Sequence, residues 1–230
     1  MNRNRLILVG AAVGVAALLA VVLILAVGKS TTATPTIGAA TSAAPSSSLA
    51  GIPQRGDTLG KASAPATLIV YEDPQCPYCR RWNVKTLPTV IDQFVRTGKL
   101  KLVYRGVVII GPDSVRGLRA IYAAGEQRKL WDLTDALYAH QGVENSGWIT
   151  NGVILTAAGE AGANGKTILA GMGAASVNAA LIRAQKEATA DQLRGTPTFV
   201  IERPPARSQQ LAVPGLDPTS FIASLAAALR

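Results

Sequence analysis

The chain has two cysteines, Cys76 and Cys79, and both fall in the stretch Asp73-Pro74-Gln75-Cys76-Pro77-Tyr78-Cys79-Arg80-Arg81-Trp82. A C-x-x-C pair can exchange disulfides, form a local structural disulfide, or supply half of a metal site. Exchange needs a thiolate nucleophile and a second thiol close enough to attack the mixed disulfide that the first one forms. Spacing of three residues meets that need when the pair sits at the start of a helix. A closed zinc site needs four ligands, and the sequence offers no further cysteine and one histidine. Copper(I) favours soft ligands, and the methionines are only Met1 and Met172.

The neighbouring segments place the pair where exchange is favoured. Ala66 to Tyr71 is rich in Ile, Val and Tyr and reads as a buried strand, while Trp82, Val84, Leu87, Ile91 and Val95 recur at helical spacing over Arg81 to Arg96. Cys76 therefore falls at a helix N-terminus, with Cys79 one turn later. Unpaired N–H groups there stabilise a thiolate, and a stabilised thiolate makes the oxidised pair a stronger disulfide donor. Pro77 suits the first helical position, and a structural disulfide is disfavoured in this strand-to-helix context. Arg80 and Arg81 push the same way only if they do not point into solvent.

Composition gives a formal charge of +9 and 48% hydrophobic residues, the latter inflated by the first thirty positions. Arg3, Arg5 and Lys29, with no acid before residue 52, leave +6 for the rest. The basic balance comes without finger spacing, an aromatic-interleaved stripe or a run of clustered Lys and Arg, so no nucleic-acid partner is expected. Leu6 to Val27 is an uninterrupted apolar run, and at about 1.5 Å per residue it is long enough to cross a hydrocarbon core. Arg3 and Arg5 precede it, so the expectation is a single uncleaved transmembrane anchor (6–27) behind a cytoplasmic stub (1–5), with all that follows exported to the outside of the cell membrane. A cleaved signal peptide would have a shorter apolar core. No cysteine lies near the end of the run, which argues against a lipid anchor. Gly10 and Gly14 form a small-xxx-small step that can pack two anchors together. Residues 28–53 are Ser, Thr, Ala and Pro with few large apolar groups and read as a flexible tether.

The folded domain is expected over 54–230. A second strand is expected over Leu100 to Ile110, parallel to the first, and Gly111-Pro112 ends it with Asp113 or Ser114 positioned to cap a helix. A helical insertion follows over about 113–194. Thr196 to Ile201 and Gln209 to Val213 read as an antiparallel strand pair, and a last helix starts at Asp217-Pro218. Trp131, Tyr138 and Trp148 are expected to pack the helical insertion, with the alternative that one of them lines the substrate groove, and His140 to be a surface or packing residue.

This order is α/β: a thioredoxin-like fold with an inserted helical subdomain, preceded by one transmembrane helix. From about residue 54 the chain resembles the DsbA-like thiol:disulfide oxidoreductases of the membrane-tethered bacterial type. The resemblance rests on Asp73 with Cys76 to Trp82, on Gly111-Pro112-Asp113-Ser114, on Trp131 to Gln141, and on Gly195-Thr196-Pro197-Thr198-Phe199. It implies catalytic Cys76 and Cys79, redox tuning by Pro77 and Tyr78, and a cis Pro197 that lets the Thr196 backbone receive an extended peptide. It also implies exported protein substrates and a membrane quinone-linked reoxidant, with no cofactor and no metal. Two departures stand out. Many relatives have a carboxylate six residues before the first cysteine, where this chain has Val70, and strand alternation sends Glu72 and Asp73 to opposite faces, so neither is assumed to replace it. Tyr78 stands where the strongest oxidases have His, which implies a less stabilised thiolate. An oxidase, a reductase or isomerase for particular substrates, and a non-catalytic thiol-based or copper-carrying module all remain open from sequence.

Overall fold

The structure, a computed structural model, describes residues 49–230; the expected stub, anchor and most of the tether lie outside the described residues. Among the described residues no single helix is long and apolar enough to cross a membrane.

Two seven-residue strands form the centre. β3 (Ala66–Glu72) is buried on both faces, β4 (Leu100–Gly106) alternates buried and part-exposed residues, and they pair in parallel from Ala66 with Leu100 to Glu72 with Gly106. The short strands β1 (Gln54–Arg55) and β2 (Thr58–Leu59) flank β4, and β5 (Thr198–Glu202) and β6 (Gln209–Gln210) flank β3. The sheet order is β1-β2-β4-β3-β5-β6, antiparallel everywhere except at the β3–β4 pair. Strand pleating divides the core. Leu68 and Val70 face a large cluster with Trp82, Phe94, Phe199 and Phe221, while Ile69 and Tyr71 face a smaller one with Val107, Ala188 and Val200. Three rings lock the large cluster, with centroids 5.1 Å apart for Trp82–Phe199 and 4.7 Å for Phe199–Phe221.

The crossover between β3 and β4 departs from the single helix expected over Arg81 to Arg96. Helix α1 (Pro77–Lys85) ends at Thr86, α2 (Leu87–Val90) follows, and a π-helical turn (Ile91–Val95) leads to Gly98. Pro88 has no N–H to continue the hydrogen-bond ladder, and the Thr86 hydroxyl donates to the Leu216 carbonyl instead of staying within the helix. Gly98, at φ +74°, turns the chain into β4.

The second strand is also shorter than expected. β4 ends at Gly106, where a Cβ would collide with Leu118 Cδ2, and Val107 N–H then donates to the Glu72 carbonyl. Residues 107–110 bend over the end of β3. The helical insertion comprises α3 (Pro112–Gly125), α4 (Leu130–Ala139), α5 (Asn151–Glu160), α6 (Gly165–Gly171) and α7 (Ala175–Ala190). Neither Asp113 nor Ser114 caps α3; Asp113 accepts from Gly147 N–H, and Ser114 reaches Asp73. Strand β5 starts at Thr198, two residues later than expected, and β6 is confined to Gln209–Gln210, although Leu211 N–H still donates to the Phe199 carbonyl. Helix α8 (Pro218–Ala228) starts as expected, with Asp217 accepting from Ser220 N–H at 3.0 Å.

An ion-pair cluster fixes α7 against the face of the central strands that carries Ile69 and Tyr71. Arg105 Nη1 lies 2.6 Å from Asp57 Oδ2, the Arg105 guanidinium also bonds Glu187, and Tyr71 donates its hydroxyl to Asp191 at 2.6 Å.

Candidate active site

Strand β3 delivers the chain to the cysteines through Asp73, which is fully buried and accepts four hydrogen bonds. Gln75 N–H reaches Oδ1 at 2.9 Å in an Asx turn, and the Ser114 hydroxyl reaches the same oxygen at 2.6 Å. Ile109 N–H and Ile110 N–H reach Oδ2 at 2.8 and 2.9 Å. One carboxylate thus ties the loop after β4 to the loop after β3, and Ile110 packs against Cys76, Cys79 and Tyr138. Gln75, also buried, extends the brace: its amide donates to Ser114 Oγ and Asn145 Oδ1 and accepts from Asn145 N–H.

Cys76 is the N-cap of α1, in extended conformation, with Pro77 at the first helical position and no acid in the first turn. The two sulfurs are free thiols in contrasting surroundings. The Cys79 thiol donates toward the Cys76 sulfur, and this bond, opposed by burial and supported by Thr196 and the N–H groups of Cys79 and Tyr78, lowers the Cys76 pKa to about 6. Those two N–H groups belong to the first helical turn, where unpaired donors favour negative charge, although Cys76 makes no side-chain capping hydrogen bond. Cys79 is wholly inside; burial, its bond to Cys76 and the nearby Glu72 carboxylate push its thiol well above the ordinary range. Neither Arg80 nor Arg81 contributes to the Cys76 shift: Arg80 Nε donates to the Tyr138 carbonyl at 2.9 Å, and Arg81 is exposed. Tyr78 acts on the sulfur through its backbone N–H, since its side chain is 61% exposed.

The Thr196–Pro197 peptide is cis, and the Cys76 thiol donates to the Thr196 carbonyl at 3.3 Å. Sequence spacing alone could not bring residues 76 and 196 together; the antiparallel β3–β5 register does, by pairing Tyr71 with Thr198.

The carboxylate missing at Val70 has a counterpart one pleat further along. Positions 70 and 72 lie on the same face of β3, so Glu72 points into the same core as Val70 but nearer the cysteines. It is completely buried, and burial raises its pKa to about 8 against the hydrogen bonds of Asn83 and Tyr138. Asn83 Nδ2 donates to Oε1 at 2.6 Å and to the Cys79 carbonyl at 3.0 Å, linking the carboxyl to the helix that holds the sulfurs. The Tyr138 hydroxyl donates to the Asp73 carbonyl at 3.0 Å and, at a longer 3.4 Å, toward Glu72 Oε2. The question left open at Val70 is narrowed: of the two neighbouring acids, alternation turns Asp73 to the other side and keeps Glu72 on the face of Val70.

Two further residues belong here. Tyr138, expected to pack the helical insertion, joins the cysteine cluster, and Gln141 donates to the carbonyls of Pro74 and Cys76 at 2.9 and 3.1 Å. Both lie in the Trp131 to Gln141 run, which the sequence flagged without assigning contacts. Trp131 packs in the core with its indole N–H on the Asp57 carbonyl, Trp148 packs against the same core, and His140 pairs with Glu160 at 2.9 Å on the surface. Among the described residues no group of three or more His, Cys, Asp or Glu gathers to hold a metal.

A parallel β3–β4 unit with cysteines at the intervening helix start, a helical insertion, and a cis proline facing the pair from an antiparallel strand define a thioredoxin-like domain of the DsbA-like kind. The family model described as Thioredoxin matches residues 54–209, and the chain belongs to that family. It is 34% identical over 101 residues to a probable disulfide bond formation protein D of Bacillus cereus, covering 43% of this chain and 47% of the relative. The match thus spans about half of that relative's length. A thioredoxin-like oxidoreductase from Silicibacter pomeroyi superposes with TM-score 0.58 at 26% identity, over 74% of this chain and 90% of the other. BdbD from Bacillus subtilis, in its oxidised form, has the same fold with TM-score 0.65 at 18% identity, over 77% and 97%.

Proposed function

We propose that this protein is an extracytoplasmic thiol:disulfide oxidoreductase that exchanges disulfides with exported proteins and works chiefly as an oxidase. The observation that carries this is the split between the two sulfurs, with Cys76 lowered to about 6 and Cys79 buried and raised. In the oxidising direction a substrate thiolate attacks Cys76 of the Cys76–Cys79 disulfide, an S–S bond forms to the substrate, and Cys79 leaves. A second substrate thiolate then attacks its own sulfur in the mixed disulfide and expels Cys76 as a stable thiolate. The substrate loses two electrons and the enzyme gains them as a dithiol.

Cys79 leaves as a poor anion because it is buried, so it needs a proton as it departs. Glu72 is protonated at neutral pH and coupled electrostatically to that sulfur, and we assign it as the source. In the reverse direction the same carboxylate accepts the Cys79 proton. The Thr196 carbonyl next to Cys76 offers an extended substrate a backbone acceptor, and backbone pairing gives affinity with little sequence preference. Exposed apolar side chains border this position: Tyr78 in α1, Ile109 beside the Asp73 contacts, and Val143 between Gln141 and Asn145. They suit unfolded segments.

A Cys76 pKa of about 6 lies between those typical of strongly reducing and strongly oxidising C-x-x-C proteins, and it favours release of a thiolate over its protonation at neutral pH. Turnover as an oxidase then requires a membrane quinone-linked reoxidant, reached from an N-terminal anchor. The test is Cys79→Ser in intact cells. Exchange chemistry predicts exported proteins trapped on Cys76 as reducible adducts. A chain that traps nothing, or whose wild-type pair is found mostly reduced at very low potential, does not have this function.

A further inference from the structure

The cysteines follow the C-terminal end of β3, and the opposite end of the sheet carries a different surface. A cavity of about 760 Å³ opens there, with Leu49, Ile52, Gly60 and Ala62 on its wall and Arg55, Lys101, Arg128 and Lys129 around it. Lys101 is the second residue of β4, parallel to β3, so this wall belongs to the end remote from Cys76. The one carboxylate on the wall, Asp132, is engaged by Lys129 at 3.7 Å and by Gln54 Nε2 at 2.5 Å. A second hollow of about 410 Å³ at the same end combines Pro65, Phe94 and Leu229 with Lys99 and Arg203. Lys61 lies over the Gly98 turn beside it. Asp92 nearby is paired with Arg96, while Glu202 keeps its charge beside the Ser208 hydroxyl; Arg203 also donates to the carbonyls of Ala228 and Arg230, and Lys101 to that of Ala62, so the cations still outnumber the acids at this end. Lysines and arginines dispersed along the sequence are therefore gathered by the fold onto one end.

We propose that this end of the domain docks onto the anionic phospholipid headgroups of a bilayer. Charge complementarity is the first argument, since each cation held near an anionic leaflet raises affinity about fivefold. The second is the mixture of cations with apolar hollows, which suits the junction between headgroup and acyl chain. The third is the chain's connection. Leu49, at the start of the described residues, is itself on the cavity wall, and the apolar run Leu6 to Val27 lies upstream of a Ser, Thr, Ala and Pro stretch. On the proposed reading of that run as a membrane anchor, the domain is joined to the bilayer through this end, which raises its effective concentration there. Docking by this end leaves Cys76 turned away from the lipid and open to substrate. The inference rests on charge, placement and the proposed anchor, and not on the exchange chemistry.

The full chain reconstituted into vesicles tests it through lysine acetylation read by mass spectrometry. With about one-third phosphatidylglycerol, acetylation of Lys61, Lys99, Lys101 and Lys129 is expected to slow at least fivefold relative to phosphatidylcholine alone, and high salt to abolish the effect. Lys166 and Lys186, on the helical insertion, should react equally in both. In a Lys99→Glu, Lys101→Glu, Arg128→Glu variant the protection of Lys61 and Lys129 should disappear while disulfide exchange with a soluble unfolded substrate is unchanged. Equal rates in the two vesicle types overturn the proposal. So does protection by inorganic phosphate in phosphatidylcholine vesicles that matches the effect of phosphatidylglycerol, because the cavity would then be a site for soluble phosphate.

Discussion

Replacing Glu72 by Gln removes the one carboxyl that the fold buries beneath the redox pair, and the size of the effect follows from its titration. The folded pKa is about 8 and the reference value is 4.5. Between those values the folded protein binds the proton more tightly than the unfolded chain, so stability is complete below the lower one and falls as pH rises toward the upper. The loss relative to a group that does not titrate is under about 1 kcal/mol at pH 5, about 3 at pH 7 and nearly 5 at pH 9. The substituted amide keeps an oxygen to accept from Asn83 and fills the same buried space beside the Tyr138 hydroxyl. Cys76 titrates in the opposite sense in the reduced protein: its lowered pKa adds stability as pH climbs above about 6. The comparison is therefore made on the oxidised protein, where neither sulfur ionises. Chemical denaturation of wild type and Glu72→Gln at pH 5, 7 and 9 should show the variant gaining on the wild type by several kcal/mol across the range. A difference that stays flat with pH would mean Glu72 is solvated or already charged when folded. The reading of it as a proton store for Cys79 would then fail as well. In the same variant, reduction of the disulfide should slow at neutral pH, because Cys79 must leave without its proton donor.

Other consequences are quicker to check. Iodoacetamide should alkylate Cys76 with a rate that rises through a midpoint near pH 6 while Cys79 stays unreactive; a midpoint at an ordinary thiol value removes the basis for the exchange reading. Ser114→Ala deletes the hydroxyl that donates to Asp73 and accepts from Gln75, and is expected to cost about 1–3 kcal/mol in thermal or denaturant unfolding. Tyr138→Phe takes from Glu72 a bond that lowers its pKa, so the carboxyl titration followed by carbon NMR should move upward; a downward shift would show that Tyr138 favours the neutral acid. Gly106→Ala drives a methyl against Leu118 and should destabilise by about 1–3 kcal/mol, with no change in the Cys76 alkylation midpoint.

What the sequence disclosed and what it withheld divide along physical lines. Cys76, Pro77 and Cys79 interact over one helical turn, and a periodic pattern is enough to place such contacts. The strand runs of β3 and β4 and the Asp217-Pro218 start of α8 are local in the same sense and were legible. The break at Pro88 was present in the sequence, but an apolar period that continued through it outweighed a single residue. Contacts between distant segments were opaque unless a resemblance supplied them, as it did for Thr196 and Pro197. Gln141 on the Cys76 carbonyl and Asn145 on Gln75 depend on how the helical insertion folds back, which no spacing encodes.

Glu72 is a different case, because the rule needed to find it was already in use. Period two puts residues 70 and 72 on one face, and the same alternation that turns Asp73 toward the loop after β4 keeps Glu72 on the face of Val70. A carboxyl moved one pleat toward the C-terminal end of β3 still meets the helix through Asn83, because Asn83 stands one turn after Cys79 and bonds both the Cys79 carbonyl and Glu72. The proton donor can therefore change its position in the strand without losing its sulfur, provided that an amide at the right helical turn changes with it. Asn83→Leu should separate the two: Glu72 would lose a bond that lowers its pKa, so its titration should move further up and its coupling to the leaving sulfur should weaken. Unchanged pH dependence of disulfide reduction in that variant would show that Glu72 reaches Cys79 without the amide, and that this link between strand and helix is structural only.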